Sequence, residues 1–388
     1  MKHIYSVLIL FLCFTFFSCG GVYERHFTFG LILPGSSTDN GWNQAQYEGG
    51  LYVQSQITTS VMLLEENVNT SSRPDVTLTE LVDQMVSKGA ELIFTASYDY
   101  QDSTLDAANA HPTIKFINIS GDYAWKTGKN PKAPENYSNI MGRMEYGAMI
   151  QGCAAALMTK TGKIGRVDAV QDSESMRIAS SAFLGARYCW TTILNKNAAD
   201  LKFKDVWIGG YSYIQGQTLN PADETNKLID EGYDVVLSGI DTNVVLIETG
   251  KRRAAGADVW ASPYDFIDAC EDSPDACIGV PYFNWGPAYD KAVRMVASRT
   301  WTQFWDWNAP DWTNINNPDT SAVGFIKGNG LSTDASTKLD SFIASLGSGL
   351  VLFKGPLNYS NGYPFLSTGQ TASDSQIWYM PDVLQGME

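Results

Sequence analysis

Histidine is almost missing from this chain. Three occur in 388 residues, His3, His26 and His111, and the first two sit at the amino-terminal end. A Ser–His–Asp relay has little to draw on, and no HExxH, phosphate-loop or GxSxG motif stands in for it. Carboxylates alone would support hydrolysis only if Asp39, Asp99, Asp122 and Asp241 met in one cleft, so an enzyme is not expected. Basic side chains are scarce as well. Lysine and arginine number 27 against 42 acids, a formal charge of −15, which repels nucleic-acid phosphates and excludes that partner. No cysteine–histidine spacing suits zinc, and neither a metal nor a cofactor is expected. Past the amino terminus, no run is long and apolar enough to cross a membrane.

That terminus is the one strongly apolar stretch. Lys2 precedes the run Ile4–Phe17, which is short for a membrane span and fits a signal peptide over residues 1–18. Its end, Phe16-Phe17-Ser18-Cys19-Gly20-Gly21, reads as a loose lipobox. Cleavage before Cys19 and acylation of that cysteine would leave an exported, membrane-tethered protein, periplasmic or cell-surface, with 19–26 as linker. Phe16 departs from the usual Leu, which leaves an ordinary secretory signal open. Of six cysteines, Cys13 leaves with the signal. Cys153 and Cys189 lie in apolar helical patterns and are expected as buried small hydrophobes rather than a pair. Cys270 and Cys277 flank the acidic loop CEDSPDAC and are expected to form a local disulfide.

What remains is ordinary globular sequence, 44% hydrophobic and 18% charged, long enough for two lobes with proper cores. It opens with a strand-like run, Phe27–Leu33, stopped by Pro34-Gly35. The polar loop Ser36–Gly41 and a helix from Trp42 follow. Strand, loop and helix start in that order form the ligand-facing edge of an open parallel sheet. Trp42 there either stacks on a ligand or packs beneath the loop, and Asp39 or Asn40 either binds or caps the helix.

Strand and helix then alternate. Helices are expected over 42–56, 79–88, 176–193, 222–231, 242–250 and 287–302, with strands at 60–64, 92–95, 114–119, 163–170, 203–208 and 234–238. Two short strands follow at 259–261 and 278–280. Glycines close several of the helices. Residues 125–139, rich in Lys, Pro, Gly and Asn, suggest a crossover, after which Ile140–Gly142 and a helix over 146–160 begin a second series. Residues 301–312 hold four tryptophans and read as a turn region packed between segments, and VLFKG in the tail reads as a strand. The fold class is α/β, with two parallel, doubly wound sheets flanked by helices.

Several phrases, taken in order, resemble the basic membrane protein (BMP) family of substrate-binding lipoproteins serving ABC transporters. DNGWNQAQYEGG is similar to its Asp-x-x-Phe-Asn signature, with Trp42 in place of phenylalanine. FTASYDYQDSTLDAANAHPTIKFINISG, GCAAALMTKTGKIGRVDAV, LIDEGYDVVLSGIDTN, VPYFNWGPAYDKAV and LFKGPLNYSNGY follow in register, so the likeness covers nearly the whole mature chain. It implies the two-lobed type 1 periplasmic-binding-protein fold with three crossovers. Lobe 1 would hold 27–123 and 258–307, and lobe 2 would hold 124–257 and 308–388. It also implies a monomer that carries a purine base or nucleoside to ABC permease subunits.

By the same resemblance Trp42 stacks on the ligand, with Asn43 and Asp39 as hydrogen-bonding neighbours. Tyr98, Asp99 and Asp122 follow strands of lobe 1 and would point into the cleft. In lobe 2, Met144 and Glu145 open the first helix and Met176 lies on a later one. Tyr211 and Tyr213 offer a second stacking face, and Asp241 is the foremost acid. Two departures stand out. Nucleoside-binding relatives carry an acid and a lysine for the ribose where this chain has Ser262-Pro263 (Asp265 is near) and Asn284-Trp285-Gly286-Pro287. Trp285 adds an aromatic there, so a free base is expected slightly ahead of a nucleoside. Another flat heterocycle such as riboflavin, or a surface or sensor role instead of import, remains the alternative.

Overall fold

Two parallel sheets divide the chain between them, each with helices on its faces. The computed structural model describes residues 26–388; the expected signal peptide, Cys19 and the linker up to Arg25 lie outside the described residues. In chain order come β1 (Phe27–Ile32), α1 (Trp42–Gln56), β2 (Ser60–Glu65), α2 (Leu78–Ser87), β3 (Ala90–Thr95), α3 (Gln101–Ala110), β4 (Lys115–Ile119) and β5 (Tyr137–Gly142). Next are α4 (Met144–Met158), β6 (Lys163–Asp168), α5 (Ser173–Tyr188), β7 (Lys202–Trp207), α6 (Pro221–Asp230), β8 (Val235–Gly239), α7 (Val244–Ala254), β9 (Trp260–Ser262) and β10 (Gly279–Phe283). The chain ends with α8 (Gly286–Ala297), β11 (Trp305–Asn308), β12 (Val323–Lys327), α9 (Thr333–Gly347), β13 (Leu357–Asn358), β14 (Pro364–Leu366) and α10 (Asp374–Trp378).

The first sheet has the order β11-β5-β4-β3-β1-β2 and the second β7-β6-β8-β9, all parallel. β10 pairs antiparallel with β12, and Cys277, just before β10, bridges Ala261 of β9, which extends the second layer. Interior strands such as β1 are apolar on both faces because helices cover both. α2 begins at a reciprocal cap in which Thr77 and Glu80 satisfy each other's backbone N–H. α8 returns to the first lobe, where Tyr289 stacks on Phe94 of β3 at 3.9 Å.

α4 is the spine of the second lobe and is buried on nearly every side. Its small residues let α5 come close. A Cβ on Gly152 would lie 1.8 Å from the Ala182 carbonyl oxygen, and one on Gly185 1.9 Å from that of Met149. Only glycine fits this crossing.

Five expectations need correction. The lobe boundaries at 123/124 and 257/258 do not follow sheet membership. β5 pairs with β4, and β9 pairs with β8, so the chain changes sheet after Gly142, after Phe283 and after Asn308. The polar stretch 125–139 is a loop that returns to its own sheet; loop composition says nothing of where a loop leads. Residues 301–312 include the edge strand β11, although the tryptophans do pack between segments: Trp305 lies on Trp125 at 4.1 Å, and Trp307 meets Trp378 edge-on. Cys153 and Cys189 are bridged, because α4 and the turn after α5 bring two helical cysteines face to face. VLFKG is not a regular strand; the tail strands are β13 and β14. Residues 313–349, without an assignment above, hold β12 and α9. Cys270 and Cys277 are also bridged. Among the described residues no helix is long and apolar enough to cross a membrane.

Candidate ligand cleft

The loop after β1 is held by its own polar side chains. One Asp39 oxygen accepts the backbone N–H of Gly41 at 2.9 Å and of Gln44 at 3.0 Å; the other accepts that of Asn43 at 3.1 Å and its side-chain amide at 2.7 Å. Asn43 in turn accepts the N–H of Gly35 at 2.9 Å. Both residues stand at the cleft, and much of their hydrogen-bonding capacity goes into fixing the loop and starting α1. Burial pushes the Asp39 carboxyl up even so.

This fixed loop aims Trp42. Its indole N–H donates to the Ala96 carbonyl at 2.8 Å. Phe283 and Trp285 meet it edge-on, at 5.5 and 5.4 Å, so neither ring lies flat on the indole. Phe283 and Trp285 stack on each other at 4.8 Å, and the Trp285 N–H has no partner among the described residues. A cavity of about 380 Å³ touches Phe283 and Trp285 and is lined also by Glu48, Tyr52, Phe266 and Tyr282, but neither Trp42 nor Asp39, Asp241, Asp265 or Glu174 lines it, so it is separate from the acidic cleft.

Carboxylates face the wall from both lobes. Burial and repulsion from Asp39, Glu174 and Asp99 push Asp241 well up. Asp265 is raised likewise, by burial and by Asp241, Asp39 and Glu174. Burial pushes Glu174 up to about 7, against the pull of Arg177. The Tyr264 hydroxyl, buried beside these acids, is raised too. The two buried guanidinium groups of this region are committed: Arg166 to Asp168 and Gln151, Arg177 to Glu145 and Glu174. The cleft is therefore acidic without free compensation, and no group of three or more Asp, Glu, His or Cys among the described residues is arranged for a metal ion.

The lobes touch across it. The Asn40 amide donates to Asp272 at 3.2 Å, and the Ser120 hydroxyl bonds the Glu174 carboxylate. Asn40, Ser120 and Asp265 are three of six non-glycine residues with positive φ among the described residues, and such backbone strain collects at functional sites.

Of the other expected residues, Asp99 joins the acidic group at its rim, raised by burial and by Asp172. Tyr98 beside it is half exposed. Asp122 is buried and accepts the Tyr379 hydroxyl at 2.6 Å. Tyr211 bonds Asp172 through its hydroxyl, and its carbonyl accepts the Asp241 N–H at 2.9 Å. Met176 is half-buried on α5 and Tyr213 is exposed at the rim; neither Tyr211 nor Tyr213 has a ring contact with Trp42 among the described pairs. Glu145 serves Arg177, and Met144 is core. Sequence reasoning missed Ser120, Glu174, Tyr264 and Phe283. Ser120 directly follows a strand, and Tyr264 and Phe283 stand at the ends of β9 and β10, a signal that was there to read.

Residues 27–193 match the family model Bmp, described as ABC transporter substrate-binding protein PnrA-like. The chain is 26% identical over 371 residues to a purine-binding protein of Brucella abortus (strain 2308), with 94% of each chain covered. It is likewise 26% identical over 261 residues to basic membrane protein A1 of Borrelia garinii subsp. bavariensis, covering 64% of this chain and 68% of that one. An ABC transporter solute-binding protein from Aeropyrum pernix K1 has the same fold, with a TM-score of 0.64 over 86% of this chain and 93% of that one at 13% identity. The two-lobed type 1 periplasmic-binding-protein architecture follows. Proteins of such a family hold small molecules outside the cytoplasm for a permease and are not enzymes. On the sequence of residues 27–193 and the two-sheet fold together, the chain is similar to the Bmp family of PnrA-like ABC transporter substrate-binding proteins.

Proposed function

We propose that this protein captures a purine base or nucleoside between its lobes and delivers it to an ABC permease for import, tethered by lipid on Cys19. The observation that carries the ligand class is the pairing of the Trp42 wall with the buried Asp265 carboxylate, which lacks donors and stands among the acids Asp39, Asp241 and Glu174. A flat ring stacks on the indole, and its N–H groups meet the acids. Stacking contributes ~1–3 kcal/mol per base, a real part of the ~8 kcal/mol of micromolar binding. The relative named as purine-binding supports the same class. Tyr211 or Tyr213 would close on the second face, and Trp285 widens the aromatic surface in favour of a free base. The lobe division would run 27–142 with 286–308, and 144–283 with 323–388.

The test is to denature the purified protein gently and identify what it releases by absorption spectrum and mass. A purine is expected. A yellow, flavin-like compound would keep the stacking argument and replace the ligand class, and titration with purines that gives no binding heat would end the purine reading. Mass analysis of the mature amino terminus tests the anchor, with a diacylglyceryl group on Cys19 expected.

A further inference from the structure

We infer that Asp265 reads the edge of the bound base, accepting two adjacent N–H donors, and thereby selects a guanine-type purine carrying N1–H beside a 2-amino group. This rests on the purine reading of the cleft. Asp265 is fully buried, and neither of its carboxylate oxygens has a partner among the described residues. Its backbone is pinned to the strand bearing the aromatic wall. The N–H donates to the Pro281 carbonyl at 3.1 Å, and the carbonyl accepts the Phe283 N–H at 3.0 Å. The φ of +74° that this requires in a non-glycine residue is held by those two bonds.

A buried carboxylate without donors is strongly unfavourable, so the missing donors are the ligand's. The groups that act on Asp265 are chiefly acceptors: Asp241, Asp39 and Glu174 repel it, and the attracting cation, Arg166, is already bound to Asp168 at 2.6 Å and Gln151 at 2.9 Å. A ligand edge among four carboxylates is favoured by the number of contiguous hydrogens it presents. N1–H with C2–NH₂ presents three: two for the Asp265 oxygens and one for a neighbouring acid. Hypoxanthine presents one hydrogen at that edge, and adenine's amine lies between two lone pairs. A ribose diol is the other neutral pair of donors. It hangs off the ring, whereas Asp265 is anchored beside Phe283 in the wall against which the ring would lie.

The experiment is calorimetric titration of the mature protein with guanine, hypoxanthine, adenine and xanthine and their nucleosides, at about pH 6 and about pH 8, because burial raises the Asp265 carboxyl and the guanine preference belongs to its ionised form. It is repeated on Asp265→Asn. In the wild type, guanine and guanosine are expected to bind at least about tenfold tighter than hypoxanthine and inosine, the worth of a hydrogen bond to a charged group. Asparagine offers one acceptor and one donor, which fits the N1–H and C2=O of xanthine. Asp265→Asn is therefore expected to lose guanine about tenfold or more and to gain xanthine. If purines bind without a guanine preference, or the variant weakens all of them equally, the inference is overturned and the purine reading stands. If nucleosides bind tenfold tighter than bases whichever base they carry, and Asp265→Asn removes that gap, Asp265 holds sugar and the inference is overturned. If no purine binds, the functional reading fails first. Should the variant not fold, guanine against hypoxanthine on the wild type still decides.

Discussion

Trp42 does two things that its neighbours separate. The indole N–H ties α1 to the end of β3 through Ala96, and the ring supplies the flat surface proposed for the ligand. Trp42→Phe is therefore expected to hold purine within about threefold, while Trp42→Ala loses ~1–3 kcal/mol, about 5- to 150-fold in Kd by calorimetry. Equal losses in both variants would remove the stacking role. Glu174 gives a second prediction at this scale. Burial lifts its carboxyl from 4.5 to about 7, so the folded chain keeps a proton that the unfolded chain releases above its lower value. The stability this contributes is fully present below about pH 4.5 and is lost as pH rises through about 7. Glu174→Gln should match the ligand-free wild type in thermal midpoint near pH 4.5 and exceed it increasingly up to about pH 8. Parallel curves would show that the burial is relieved by water.

At the scale of elements, the α4–α5 crossing carries the second lobe. Gly152→Ala would force the helices apart at a contact of 1.8 Å to backbone, which cannot swing aside as a side chain would. A loss of about 1–3 kcal/mol is expected in urea unfolding with an unchanged m value; no loss would mean that the crossing is looser than its geometry. α1 spans Trp42–Gln56 as its pattern indicates, because loop, helix start and apolar spacing are all local signals. β11 is different. Trp305-Asp306-Trp307-Asn308 has the look of a turn region until β5 lies beside it, since an edge strand is made by its partner and carries little periodicity of its own. The Cys153–Cys189 bridge is of the same kind, a product of two helices meeting.

For the whole molecule, the contact that matters is Gly41 against Asp241. A Cβ at Gly41 would stand 1.8 Å from the Asp241 carbonyl oxygen, where the first lobe rests on the second. Gly41→Ala is expected to leave the thermal midpoint of the ligand-free protein within a few degrees, at about 4 °C or less. It should weaken purine binding about tenfold or more and abolish the ligand-induced contraction seen by small-angle scattering. Ligand favours the closed form only by its differential affinity for it. Contraction of the variant equal to that of the wild type would show that closure does not need this approach.

The sequence by itself determined the α/β class, most strands and helices, the acidic character that excludes nucleic acid, and the stretch Phe27–Gln56 around which the cleft is built. These are properties of short range, read from periodicity, glycine and proline stops, and charge. Only the tertiary structure decided that β5 and β9 exchange the lobes expected of them, and that Asp39 and Asn43 serve the loop as much as the cleft. It also decided that Asp265, Glu174 and Phe283 join Trp42 and Asp241. The physical reason is that a carboxylate becomes a recognition group when burial removes water and no donor replaces it, and that condition depends on residues more than a hundred positions away.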